Sequence, residues 1–112
     1  MPVSTDMMDG GVVLVTLSPE ASADTFAPAN FEPLLSTLNE IMIDPLCRSV
    51  VITGSGRFFS AGGNIDDFAD GIETGEIGDR VQEMTDKLHP LLLRMRTSEK
   101  VFVCAINGSV AG

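Results

Sequence analysis

The sequence predicts an α/β fold built on a parallel sheet, and three observations carry that prediction. Three short apolar runs, Val12–Leu17, Ser49–Thr53 and Val101–Ile106, are rich in β-branched residues, as strands buried on both faces are. Between the second pair of neighbouring runs, and between the first, apolar residues recur at helical spacing. Each run exits into Gly, Ser-Pro or Asn-Gly, the punctuation that ends strands. Strands alternating with helices pair in parallel through right-handed crossovers.

Taken in order, Val12–Leu17 is bounded by Gly10-Gly11 and Ser18-Pro19. Residues 18–30, with Pro19, Ser22, Asp24, Pro28 and Asn30, read as a loop. Phe31, Leu34, Leu35, Leu38, Ile41 and Met42 then form one helical stripe, with Asn30 as N-cap and Pro33 in the first turn. That helix stops before Pro45. Ser49–Thr53 is the second strand, followed by the turn Gly54-Ser55-Gly56. Residues 64–86 hold eight acids against one base, Arg80, and are interrupted by Gly71, Gly75 and Gly78. They read as a mobile or partly helical surface segment. Val81, Met84, Leu88, Leu91, Leu92 and Met95 mark a second helix, kinked or divided at Pro90. Val101–Ile106 is a third buried strand.

Composition narrows the partners. A chain of 112 residues makes one domain at most, with no internal repeat and no linker. Seven basic against sixteen acidic residues give a net charge of −9, which repels nucleic acid and anionic lipid. An anionic ligand must therefore be held by local groups. The acidic N-terminus is neither a signal nor a transit peptide, and no apolar run approaches the ~20 residues that span a bilayer. The expected location is cytoplasmic. Cys47 and Cys104 lie on apolar stretches without a CxxC neighbour, so buried thiols are expected and a metal site is not.

Several motifs dissolve on inspection. Gly54-Ser55-Gly56 is not a dinucleotide fingerprint, because Phe59 stands where the third glycine belongs. Asn64-Ile65-Asp66-Asp67-Phe68 is not a calcium loop, since Phe68 occupies a ligand position. His89, the single histidine, sits beside an apolar stripe and before Pro90, which suits a surface or packing role. The two glycine segments, Ser60-Ala61-Gly62-Gly63-Asn64-Ile65 and Ile106-Asn107-Gly108-Ser109-Val110-Ala111-Gly112, leave two readings open. They are tight turns leaving parallel strands, or they expose backbone N–H groups to one ligand oxygen, as an oxyanion hole does.

Val50-Val51-Ile52-Thr53-Gly54-Ser55-Gly56-Arg57-Phe58-Phe59-Ser60-Ala61-Gly62-Gly63-Asn64-Ile65 and Ala105-Ile106-Asn107-Gly108-Ser109-Val110-Ala111-Gly112 together resemble the crotonase, or enoyl-CoA hydratase/isomerase, superfamily. The likeness covers roughly residues 10–112. It implies a superhelix of repeated ββα turns, with a parallel sheet and crossover helices, of which residues 1–112 would be the N-terminal part of a single domain. It implies an acyl-CoA substrate transformed by hydration or double-bond isomerisation through an enolate, with coenzyme A as part of the substrate and no tightly bound cofactor. Gly63 and Gly112 match the two backbone donors to the thioester oxygen. Ala61, Gly62, Asn64, Ile65, Gly108 and the loop residues Ala23, Asp24 and Thr25 match substrate-binding positions. The resemblance also implies a homotrimer or hexamer. The family's acidic pair follows the second glycine segment, so the 112 residues are expected to be inactive alone, as a fragment. The alternative is a non-catalytic chain that binds acyl-CoA or another subunit.

Three departures stand out. Asn64 replaces the family's usual acid, Val101 replaces a proline, and Ser22-Ala23-Asp24-Thr25 replaces a basic residue and an Asn-Ala pair. No Arg or Lys occurs before Arg48.

Overall fold

The computed structural model describes residues 1–111. Its elements run β1 (Val3–Met8), a 3-10 turn (Asp9–Gly11), β2 (Val12–Leu17), α1 (Pro19–Ala23), α2 (Pro28–Ile43), β3 (Ser49–Thr53), β4 (Phe58–Ser60), α3 (Ile65–Thr74), α4 (Ile77–Thr97), β5 (Val101–Ala105) and β6 (Ser109–Val110). One sheet has the order β1-β2-β3-β5, and β4 pairs with β6 in a second, two-stranded sheet. The three strands expected from the sequence pair in parallel, with Val13 beside Val50 and Val50 beside Phe102.

Alternation along the strands decides what is buried. Val13, Val15, Leu17 and Val50 share one face and pack with Ala21, Ile41 and Cys47. The helical stripe of α2 closes a second cluster, in which Phe31, Leu35 and Leu38 meet Leu91 of α4. Leu34 and Ile52 touch both clusters and join them into one core.

The structure corrects several expectations. β1 escaped notice because its Ser-Thr-Asp-Met-Met stretch is exposed and Val3 alone is buried; its antiparallel pairing with β2 forms the strand. The segment 18–30 is not all loop. Ser18 caps α1 by accepting from the Ala21 N–H (3.1 Å). Asn30 is not an N-cap: α2 begins at Pro28, whose fixed φ suits a first helical position. Asn30 instead donates from Nδ2 to the Asp24 carbonyl (2.8 Å). Pro33 therefore lies inside the helix.

The segment 64–86, read as mobile or partly helical, is mostly helical: α3 spans Ile65–Thr74, and α4, Ile77–Thr97, takes in the expected second helix. Asn64 caps α3 through Oδ1, which accepts from Asp66 N–H (2.8 Å) and Asp67 N–H (3.2 Å). Asp66 and Asp67 in that first turn complement the positive end of the helix. Gly75, left-handed, ends α3 and lets the chain turn into α4. α4 continues through Pro90, which is exposed while its neighbours Leu88 and Leu91 pack inward. β5 is an edge strand and largely exposed, with Phe102 alone packing on the core. Cys104 is accordingly exposed, and Cys47 is buried. No helix among the described residues is long and apolar enough to cross a membrane.

Two outcomes follow from this packing. Val50→Ala, at a fully buried position touching both neighbouring strands, should lower unfolding free energy by about 2 kcal/mol in urea melts. Burial pushes the Cys47 thiol above its ordinary pKa, while Lys100 opposes the shift. A native chain should thus react fast with a thiol-specific disulfide reagent at Cys104 alone, and at both cysteines in denaturant.

Candidate functional site

β3 and β5 are parallel neighbours, so the glycine segments that follow them leave the sheet at the same edge. Asn107 joins them. Its Oδ1 accepts from the Gly54 N–H (2.9 Å), and its Nδ2 donates to the carbonyls of Gly56 (3.3 Å) and Phe58 (3.2 Å). The side chain thereby bonds three backbone groups of the turn between β3 and β4. Gly108 follows because the backbones nearly touch: a methyl group there would overlap the Arg57 carbonyl. Next, Ser109 N–H donates to Arg57 O (3.2 Å) and Ala111 N–H to Ser60 O (2.9 Å). β6 thus lies parallel to β4, with Phe58 beside Ser109 and Ser60 beside Val110.

On its other side, the first glycine segment is held by the end of α1 and the chain that leads into α2. Ser22, fully buried, takes the Ala61 N–H on its carbonyl (2.8 Å) and the Ser55 N–H on its hydroxyl (3.1 Å). Thr25 donates its single hydroxyl proton to Ala21 O (2.8 Å). The Ser60 hydroxyl, 2.8 Å from Thr25 Oγ1, must then be the donor between them. Phe26 N–H reaches Gly62 O (3.5 Å), and Asn64 Nδ2 donates to Asp24 Oδ2 (3.2 Å). Residues 60, 61, 62 and 64 are therefore each tied to residues 22–26.

Gly63 is the exception. Among the described residues, no bond ties it to residues 22–26, and no acceptor takes its N–H, as is also true of the N–H groups of Gly62 and Asn64. Gly62 before it is buried with a φ of 81°. Asp24 Oδ1 is buried and receives no donor among the described residues.

The sequence-predicted site residues divide accordingly. Asp24, Thr25, Ala61, Gly62, Gly63, Asn64 and Gly108 fall within this one hydrogen-bonded assembly. Ala23 and Ile65 are exposed at helix ends. Gly112 lies outside the described residues. Ser22, Ser55, Ser60 and Asn107 carry the assembly but were not singled out as site residues. Small polar residues flanking glycines were the available signal, and ordinary turns show the same pattern. His89 is exposed on α4.

The departures at Asp24 and Asn64 explain each other. Asn64 serves one side as helix cap and the other as amide donor to a carboxylate. An aspartate at 64 would keep the cap and lose the donor, setting two carboxylates together. Asn64→Asp should therefore destabilise the chain in urea melts at neutral pH, by about 1 kcal/mol or more. Asp24→Asn in the same background should restore much of that loss. Ser22→Ala, which strands the Ser55 N–H, should cost about 1–3 kcal/mol.

Comparison with known proteins places this geometry. The sequence profile described as enoyl-CoA hydratase/isomerase matches residues 7–112. The chain is 29% identical over 105 residues to a 1,2-epoxyphenylacetyl-CoA isomerase of Escherichia coli, covering 94% of this chain and 40% of that protein. It is 31% identical over 102 residues to a probable enoyl-CoA hydratase of Bacillus subtilis, covering 89% and 36%. The chain thus spans 36–40% of the length of these curated relatives. A crystal structure of a probable enoyl-CoA hydratase/isomerase from Mycobacterium abscessus superposes with a TM-score of 0.68 at 33% identity, covering 96% of this chain and 40% of that one. A match over nearly the whole chain, on the fold found here, establishes that it belongs to the enoyl-CoA hydratase/isomerase, or crotonase, family.

Proposed function

We propose that this chain contributes the thioester-holding part of an enzyme that hydrates or isomerises an enoyl-CoA through an enolate. The observation that carries the reading is that Gly63, in a segment whose neighbours are tied to residues 22–26 through a backbone or side-chain group, keeps an N–H without an acceptor among the described residues, as Gly62 and Asn64 also do. A donor fixed before the reaction stabilises developing negative charge without reorganising. The pairing of β4 with β6 brings the chain at Ala111 beside Ser60, which supports Gly112 as the second donor. Both would aim N–H groups at the thioester oxygen.

The loop of residues 22–25 supports a coenzyme A contact there. Among the described residues, Asp24 Oδ1 is a buried acceptor without a donor, and an amide or the adenine amino group of coenzyme A would supply one if the loop opened to admit it. No Arg or Lys precedes Arg48 in the sequence, so any positive charge for its phosphates comes from later segments. Trimers or hexamers, as the family resemblance suggests, are part of the same proposal.

A second reading, a non-catalytic acyl-CoA- or subunit-binding chain, is favoured by one observation. Among the described residues the outer edge of β5 is unpaired, with Val101 60% and Val103 48% exposed, and such an edge is a template for another chain.

Carbonyl infrared spectroscopy tests the donor assignment without requiring turnover. Bound crotonyl-CoA should show its thioester stretch shifted to lower frequency. Gly63→Pro should abolish that shift, and Gly63→Ala, which keeps the N–H, should retain part of it. In any assembly that turns over, loss of one donor should lower kcat about 10²–10³-fold. An unchanged stretch in Gly63→Pro would sink the assignment.

A further inference from the structure

The outer side of α3 combines exposed apolar residues with unpaired acids. Ile65 is 80% and Ile72 67% exposed, seven residues apart and therefore on one side of the helix. Ala69 is exposed between them. Asp66 and Glu73, each one residue beyond an isoleucine, repeat the same spacing. Among the described residues neither carboxylate pairs with a cation, whereas Asp70 is held by Arg80 (3.0 Å).

The second half of α4 presents the complement. His89, Leu92, Leu93 and Arg96 form one stripe and line a hollow of about 360 Å³. Leu93 is 66% and Leu92 47% exposed. His89 and Arg96 bracket the two leucines, and among the described residues neither pairs with a carboxylate. Asp86, one turn before His89, accepts from Gln82 Nε2 (2.7 Å) and marks where the stripe ends.

The spacings match. Seven residues of helix rise about 10.5 Å, so Asp66 and Glu73 are as far apart as Arg96 and His89. A helix laid antiparallel along the stripe sets Asp66 beside Arg96 and Glu73 beside His89. Ile65 and Ile72 then straddle the leucines, and the small Ala69 leaves them room. α3 of the same chain is already packed elsewhere, with Gly71 against Ile77 and Asp70 on Arg80. The stripe begins more than two turns further along α4. The helix that reaches it must come from another copy.

We propose that the outer side of α3 in one copy docks on the His89–Arg96 stripe of a second copy. Charge complementarity selects this occupant. A guanidinium and an imidazole around two leucines fit an acidic helix with an apolar side, and α3 carries four acids and no base. Both surfaces lie on one chain, so the contact is made twice in a twofold pair or once per subunit around a ring. It uses no residue of β5 and does not depend on the acyl-CoA reading.

Sedimentation velocity of the full chain over rising concentration, at about 20 mM and about 300 mM salt, tests this. The chain should associate at low salt and largely dissociate at high salt. Arg96→Glu should weaken association about tenfold or more. Arg94→Glu makes the same change of charge on another side of α4 and should leave association within about twofold. Asp66→Arg added to Arg96→Glu reverses the pair and should recover most of the loss, which guards against a folding failure. A chain that stays monomeric at every concentration overturns the proposal. So does association that Arg96→Glu leaves unmoved, that Arg94→Glu lowers as much, or that the reversed pair fails to recover.

Discussion

Two backbone segments leave the same edge of a parallel sheet and must be held side by side by something other than the sheet. Asn107 does this, with one side-chain oxygen and one side-chain amide spanning Gly54, Gly56 and Phe58. Gly108 then lets the second segment approach Arg57 without a side chain in the way. The short β4–β6 pairing, and with it the position of Ala111 beside Ser60, depends on that contact. A polar network of this kind favours one arrangement because each alternative gives up several of its hydrogen bonds at once.

The clamp from residues 22–26 completes the constraint from the opposite side. Backbone bonds at Ser22 and Phe26 and side-chain bonds at Asp24 and Thr25 each reach a different residue of the 60–64 segment. The segment is thereby ordered without being part of a long strand or a helix. Rigidity of that sort is what a preorganised donor requires, since the energetic advantage is lost if the N–H must reorient as charge develops. Asn64 links the clamp to α3, so the placement of Phe68 and the placement of Gly63 come from one residue.

Much of this was legible in the sequence, for identifiable reasons. Val12–Leu17 and Ser49–Thr53 coincide with β2 and β3, because continuous β-branched runs bounded by glycine or Ser-Pro have few other solutions. Parallel pairing followed from the intervening helices. What failed was structure created by partners rather than by local pattern. β1 exists through its antiparallel ladder to β2, and β4 and β6 through each other. α3 was obscured by its glycines and its charge, although Asn64, Asp66 and Asp67 spell a favourable helix start. The expected burial of β5 and Cys104 failed because an apolar strand was assumed to be covered on both faces. The two glycine segments singled out in the sequence are the ones the hydrogen bonds bring side by side. The residues that hold them, Ser22, Ser60 and Asn107, are too ordinary in type to be recognised before their partners are known.

The account turns on the Gly63 N–H being the group that meets the thioester oxygen. The most direct measurement is the ¹H–¹⁵N resonance of Gly63, followed as crotonyl-CoA is added and compared with a thioether analogue of the same length that lacks the carbonyl. The account predicts a downfield shift of the amide proton with the thioester and little change with the thioether. Equal shifts with both ligands, or a Gly63 amide unmoved by a thioester that binds elsewhere on the chain, would contradict it.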